Sequence, residues 1–350
     1  MGLIEPAAGA EFLVREICSA GRGAVEVLAL APAKEVLAPA MATAASMSIT
    51  PAGKSTSVNA MILPRANLAF EREVSVAALP FLESHVINGR AVLPAALMVE
   101  WLAQAALHGN PGMRFHGLDD FKVLKGVVLD AGQSVTVRLL AGRGTSRNGL
   151  HVVPVQMTAS VQAGEREVLH AQADVLLTEE KLPKAPAADV VDMSGGEIAD
   201  AYSLGVLFHG VALHGIERVE VCAEKGVAAL LKAASAPIKW MRNPLRGTWI
   251  ADPLALDSAF QMMSLWSAAH RGGPSLPSAL GRYRQFVGAF PKSGCRAVIG
   301  VALGISAIAV ASIQFLDRQG NLLASAEGCE FVVDAGLRDA FRLNQLKLDT

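Results

Sequence analysis

Two runs of small and apolar residues, near 92–107 (VLPAALMVEWLAQAAL) and near 253–270 (PLALDSAFQMMSLWSAAH), read as helices that are apolar on nearly every face. A helix of that kind cannot stand in water and has to be enclosed by other elements. The segments around both alternate in the manner of strands. After the Gly109-Asn110-Pro111-Gly112 stop, strand-like runs fall near 113–129, 133–141, 151–162 and 166–178. In the second half they fall near 216–234, 281–290, 296–303, 307–316 and 322–333, with a short helix expected near 196–204. One buried helix among antiparallel strands, occurring twice, predicts an α+β chain of two similar units, each a sheet curled round its own helix.

Composition sets the boundaries. Residues 1–60 read as an N-terminal linker: a helix (GAEFLVREICSA), a Gly-Arg-Gly turn, a strand-like AVEVLAL, and from 31 onward an Ala-, Pro-, Ser- and Thr-rich stretch without an apolar period. Residues 61–180 form the first unit, 181–195 a second linker, 196–335 the second unit and 336–350 a C-terminal tail. A chain of 350 residues has room for two such units.

The charge balance narrows the partners. A formal net charge of −1 gives no bulk attraction to nucleic acid or to an anionic membrane, so a partner has to be recognised through a local patch. The cysteines, Cys18, Cys222, Cys295 and Cys329, are scattered and form neither a zinc pattern nor a disulfide framework. The N-terminus, with Glu5 and Glu11, lacks the basic start and apolar core of a secretory signal, and a cytoplasmic location is expected. Residues 297–316 carry no charge over a length that spans a bilayer. The run is nonetheless rich in Val and Ile, is broken by Gly304 and Ser306, and leads into the Asp317-Arg318-Gln319-Gly320-Asn321 turn. Paired buried strands, not a membrane span, are expected there.

Chemistry concentrates at the start of the two helices. His85 stands four residues before Gly89 and nine before Pro94. Glycine lets the backbone approach a ligand closely, proline is tolerated where a helix begins, and a helix start presents free N–H groups and a positive dipole end to a carbonyl oxygen. A histidine just ahead of such a start is placed to take a proton beside that carbonyl. In the second stretch Asp252, before Pro253, suits the helix cap, which leaves Asp257 among Leu256 and Phe260, where an idle carboxylate is costly. Gln261 lies one turn further on. His209, His214, Trp101 and Trp266 read as wall or packing residues, and no H-E-x-x-H or clustered Cys and His points to a metal.

The stretch His85-Val86-Ile87-Asn88-Gly89-Arg90-Ala91-Val92-Leu93-Pro94 resembles the H-x-x-x-G-x-x-x-x-P motif of the double-hotdog dehydratase domains of polyketide and polyunsaturated fatty acid synthases. Asp252-Pro253-Leu254-Ala255-Leu256-Asp257-Ser258-Ala259-Phe260-Gln261 is similar to the aspartate motif of the same family. Two lesser likenesses accompany them: Tyr202 to Gly210, ending in Phe208-His209-Gly210, and Leu276-Pro277 after the second helix. The sequence departs from the family pattern at Val211 (for proline), Phe208 (for tyrosine) and Asp252 (for histidine), which bears on substrate positioning more than on acid and base.

The resemblance covers roughly 65–335 and implies a double hotdog that removes water from a 3-hydroxyacyl thioester. Neutral His85 takes the α-proton while N–H groups near Gly89 and Arg90 hold the enolate oxygen. Protonated Asp257, oriented by Gln261, protonates the departing hydroxyl. Gly89, Arg90, Pro94, Tyr202, Phe208, His209, Gly210, Leu276 and Pro277 are the implied substrate contacts. No cofactor is implied beyond the phosphopantetheine of an acyl carrier protein that brings the substrate. Ketoreductase and ketosynthase domains are the implied neighbours, residues 1–30 resembling the tail of a ketoreductase, and a homodimer is a further expectation. Two other readings share the fold: a double-bond isomerase or polyketide cyclase using the same His and Asp, and a non-catalytic carrier-binding or structural module.

Overall fold

A computed structural model describes residue 63 and residues 66–160, 167–189, 193–302 and 307–347. The helix, turn and strand expected in 1–30 and the linker to 60 lie outside the described residues. In chain order the first half holds β1 (Asn67–Ser75), a 3-10 turn at Pro80–Ser84, β2 (Val86–Ile87), β3 (Arg90–Val92), α1 (Ala95–His108), β4 (Arg114–Val123), β5 (Val128–Leu129), β6 (Ser134–Ala141), β7 (Thr145–Arg147), β8 (Leu150–Ser160) and β9 (Val168–Thr178). The second half holds β10 (Gly196–Ile198), β11 (Ile216–Ala223), β12 (Gly226–Leu231), α2 (Pro253–His270), β13 (Ser275–Gln285), β14 (Cys295–Ala302), β15 (Ile308–Leu316), β16 (Leu322–Val333) and α3 (Leu337–Arg342).

Among the described residues 13 strands join into one long antiparallel sheet, ordered β1-β6-β8-β9-β4-β13-β16-β15-β14-β12-β11-β10, with β7 on the side of β8, and β2, β3 and β5 form a small second sheet. The halves meet where β4 pairs with β13, Leu118 opposite Tyr283 and Gly117 opposite Arg284. Strands β1, β4, β6, β8 and β9 pack on α1, strands β11 to β14 on α2, and the two helices pack on each other. This is the double hotdog. Ala96 to Ala106 and Pro253 to Ser267 are buried without a break, as two helices apolar on all faces require.

The differences from the sequence reading have local causes. Helix α1 starts at Ala95, later than 92, because Val92 and Leu93 spend their N–H groups on His85 and Val127 carbonyls in a small second sheet of β2, β3 and β5. No helix forms at 196–204: the Asp200 carboxylate accepts the N–H groups of Tyr202 and Ser203, a side-chain turn that competes with helical bonding. Strand β13 starts at Ser275, ahead of 281, and a register shift between Pro277 and Ala279 accommodates the proline. The 297–316 run is β14 and β15 paired antiparallel, with Ile299 opposite Ile313. No helix among the described residues is long and apolar enough to cross a membrane.

Fully buried Glu100, in the middle of α1, ties the halves together. Its carboxylate accepts the N–H groups of Ile250 (3.0 Å) and Ala251 (2.8 Å) and the Gln104 amide (2.8 Å), fixing the approach to α2. Glu100→Ala leaves two main-chain donors without an acceptor, and a loss of about 2–4 kcal/mol is expected. Thermal unfolding of the variant beside Gln104→Ala, which spares both donors, checks this by the larger drop in Tm for Glu100→Ala.

Candidate active site

The first catalytic candidate is aimed by a hairpin. Asn88 and Gly89 adopt φ of 52° and 77°, the left-handed pair that a two-residue turn between β2 and β3 requires, and Asn-Gly supplies it at least cost. The turn folds Val92 back beside His85. His85 Nδ1 donates to the Val92 carbonyl at 2.6 Å, and the Val92 N–H returns to the His85 carbonyl. With the proton on Nδ1, Nε2 carries the free lone pair. Burial pushes the imidazole down to about 4 against the opposing pull of the Val92 bond, so His85 is neutral at neutral pH.

The second candidate sits on α2. Asp252 caps that helix, at φ 31°, its carboxylate accepting the N–H groups of Ala255 and Ala234. Asp257 is thereby free of capping and stands inside the helix, 3 % exposed. Burial lifts its carboxyl to about 7, while the bond from Gln261 pulls the other way. Gln261 Nε2 donates to Asp257 Oδ2 (2.8 Å) and to the Leu213 carbonyl (3.0 Å), and Gln261 Oε1 accepts from the Tyr202 hydroxyl (2.8 Å). Tyr202 in turn accepts the Ile216 N–H and stacks on His214 with ring centres 3.7 Å apart. Gly215 permits this network: a Cβ there would lie 2.0 Å from Ser258 Oγ on α2.

The two helices and the Phe208-His209 segment enclose one mostly apolar pocket. His85, Asp257, Gln261, Phe208 and His209 line it, with Leu276 and Pro277 from β13 and Met98 from α1. His85, His209 and Asp257 each turn a nitrogen or oxygen into a space where those atoms lie within 4.8 Å of one another. His209 Nε2 is 3.5 Å from Asp257 Oδ2, its ring meets His85 edge-on at 5.3 Å and stacks on Phe208 at 3.9 Å. Burial, with His85 and His214 beside it, drives His209 well below the ordinary histidine range. Two imidazoles and a carboxylate are a donor set that a divalent cation accepts. Two neutral imidazoles facing a carboxyl with a raised pKa are also groups suited to act as base and acid in one buried, mostly apolar space.

Some residues implied by the sequence stand elsewhere. Gly89 and Arg90 do not face the pocket: the Gly89 N–H donates to the Leu343 carbonyl at 2.7 Å, and the Arg90 guanidinium pairs with Asp130 at 2.9 Å. Neither supplies the expected oxyanion donor. The N–H groups that precede the first helical bonds of α1 are those of Ala95 and Ala96, since Leu97 and Met98 already donate to Pro94 O. Pro94 sits at the cap, and Tyr202 holds Gln261 from behind the wall. Gly210 donates its N–H to Ser84 O, tying Phe208-His209 to the residue before His85. Glu100 and the packing of Phe341 on Phe208 were not foreseen.

Comparison with known proteins follows the same lines. Residues 58–153 match the family model described as polyketide synthase dehydratase domain. The dehydratase domain from the CurF module of curacin polyketide synthase superposes with a TM-score of 0.59 at 16% identity, over 76% of this chain and 93% of that one. Residues 58–153 carry the sequence signature of that family, and the chain has the fold of these solved domains. A trans-AT polyketide synthase dehydratase domain from Brevibacillus brevis superposes with a TM-score of 0.55 at 20% identity, over 75% of this chain and 93% of its own. A polyunsaturated fatty acid synthase polypeptide from a Thraustochytrium species is 29% identical over 221 residues, 62% of this chain. The chain spans 8% of that relative's length. His85 and its hairpin lie within the family match and Asp257 lies beyond it.

Proposed function

We propose that the domain eliminates water from a 3-hydroxyacyl thioester presented on the phosphopantetheine arm of an acyl carrier protein. The observation that carries this reading is the facing of His85 and Asp257, the first kept neutral and the second raised to about 7 by the same burial. His85 Nε2 removes the α-proton, and the thioester oxygen that gains charge is held by the first N–H groups of α1, at Ala95 and Ala96. Asp257 gives its proton to the departing hydroxyl, so the step leaves an imidazolium facing a carboxylate. That attraction in a dry pocket offsets the weak basicity of a buried histidine. Gln261, held by Tyr202, keeps Oδ2 engaged and turns the acid toward substrate. The reaction as proposed draws on no cofactor.

Solved dehydratases from the CurK module include inactive mutants, one with an aspartate changed to asparagine and one with a histidine changed to phenylalanine, which supports the pairing proposed for this site. The chain is proposed to act as one piece of a cytoplasmic, dimeric synthase beside ketoreductase and ketosynthase domains. A second reading, double-bond isomerisation by the same pair, draws support from the similar GphF dehydratase, of which an isomerase-inactive variant is known. The test is to incubate the full chain separately with 3-hydroxyacyl and 2-enoyl pantetheine thioesters and to follow each by mass spectrometry and proton NMR. Loss of water from the first supports dehydration, a migrated double bond in the second supports isomerisation, and two unchanged substrates sink both.

The pH profile has a worked direction. His85 works deprotonated, so rate is lost as pH falls through about 4; Asp257 works protonated, so rate is lost as pH rises through about 7. A plateau in kcat/KM between these limits is expected, with a fall of about tenfold per pH unit above the upper one. A profile rising through pH 8 would contradict the acid role of Asp257.

A further inference from the structure

Residues 336–347, part of the expected 336–350 tail, form a strap across the hairpin that aims His85. Three main-chain bonds fasten it: Asn88 N–H to Ala340 O (2.8 Å), Gly89 N–H to Leu343 O (2.7 Å) and Lys347 N–H to Gly89 O (3.0 Å). The Lys347 side chain lies over Gly89, where a Cβ would come within 2.6 Å of it. Beneath the strap, Leu337, Ala340 and Phe341 share a small apolar cluster with Ile87, Val92 and Leu276. Phe341 meets Phe208 at 4.5 Å between ring centres, and Phe208 meets His85 edge-on at 4.9 Å.

From this geometry we infer that the strap is a positioning element for the catalytic base, with Phe341 as its anchor. The hairpin's strands are two and three residues long, and the two-residue β5 is the other strand of their small sheet, so the hairpin has little pairing of its own to hold it. Its Val92 carbonyl nevertheless has to hold still, because it accepts the bond that keeps the proton on Nδ1 of His85 and leaves Nε2 free. The strap occupies the turn's outward-facing donors and acceptor and backs the wall residue against which the imidazole rests. The second hotdog, through its own C-terminal extension, thus steadies the base of the first. This inference rests on His85 acting as the base of the proposed elimination.

The experiment compares the full chain with Phe341→Ala, Phe341→Leu and a chain lacking residues 344–350, which keeps α3 and removes the Lys347 bond. Phe341→Ala is expected to lower kcat by about 10- to 100-fold, the scale of a misplaced catalytic group, with KM changed less than threefold and with partial recovery in Phe341→Leu. Nitrogen NMR of the histidine rings is the readout that packing alone does not move. His85 should show the single Nδ1–H tautomer in the wild type and a tautomer mixture in Phe341→Ala and in the shortened chain. An unchanged tautomer and a kcat within twofold of wild type in the shortened chain and in Phe341→Ala would overturn the inference. If Phe341→Ala fails to fold, the shortened chain decides by the same two readouts. If the wild type does not dehydrate at all, the elimination reading fails, while the tautomer comparison still reports on the strap.

Discussion

His85→Phe is expected to lower the rate of the proposed water loss by at least ~10²-fold, the contribution of a general base, with circular dichroism and thermal unfolding close to wild type. The ring that replaces the imidazole keeps the edge contact to Phe208 and the burial, and gives up one hydrogen bond, to the Val92 carbonyl. That cost is about 1 kcal/mol, small for a core of this size. Steady-state kinetics on a 3-hydroxyacyl pantetheine thioester measures the effect. Turnover within a few-fold of wild type would move the base to another residue, His209 first, since it is the other imidazole in the pocket.

Asp257→Asn separates the two half-steps. The amide keeps the size of the carboxyl, yet it has no acidic proton for the leaving hydroxyl; elimination is expected to fall by at least ~10²-fold. His85 can still exchange the α-proton, so deuterium uptake without water loss is the predicted signature, and full activity would remove Asp257 from the mechanism. The same variant reports on stability with a defined sign. The folded carboxyl has a pKa near 7 against an ordinary 3.8, so between those values the folded state holds a proton that the unfolded state has released. Stability therefore declines as pH rises through this window, and above it the buried carboxylate weighs against the fold in full. Asn carries no such charge. At pH 8 the variant should unfold at a higher temperature than wild type, by the equivalent of a few kcal/mol, and near pH 4 the gap should close.

Much of the architecture was legible because its signal is local. Continuous apolar stretches marked both central helices, and α2 begins and ends where the pattern places it, since Asp252 and Pro253 form a cap within the chain itself. The strands from β14 to β16 also follow their Val, Ile and turn residues closely. The misses came where a side chain or a distant backbone intervened. Asp200 captured the N–H groups that a helix at 196–204 would have needed, and β5 took up residues that otherwise read as the start of α1. Oxyanion donors were expected near Gly89 and Arg90, and the structure engages the Gly89 N–H elsewhere for a related reason. The glycine serves the geometry of a turn, and its N–H is claimed from more than 250 residues away by Leu343.

What the chain determines by itself is the inventory: two helices that have to be buried, a histidine before one, and a carboxyl with a glutamine one turn later within the other. Helical spacing alone brings Gln261 to Asp257, because residues four apart share a face. What only the tertiary structure decides is the state of these groups and who stands beside them. Pairing β4 with β13 joins the halves and sets His85 opposite Asp257; closure of the sheet on both helices then removes the water that would keep the imidazole protonatable and the carboxyl ionised. His209 and Tyr202, from one loop, and Phe341, from the C-terminal segment, enter the same neighbourhood. Desolvation depends on everything packed around a group, and so the shifted protonation of His85 and Asp257, on which the proposed base and acid roles rest, exists only once the two halves have come together.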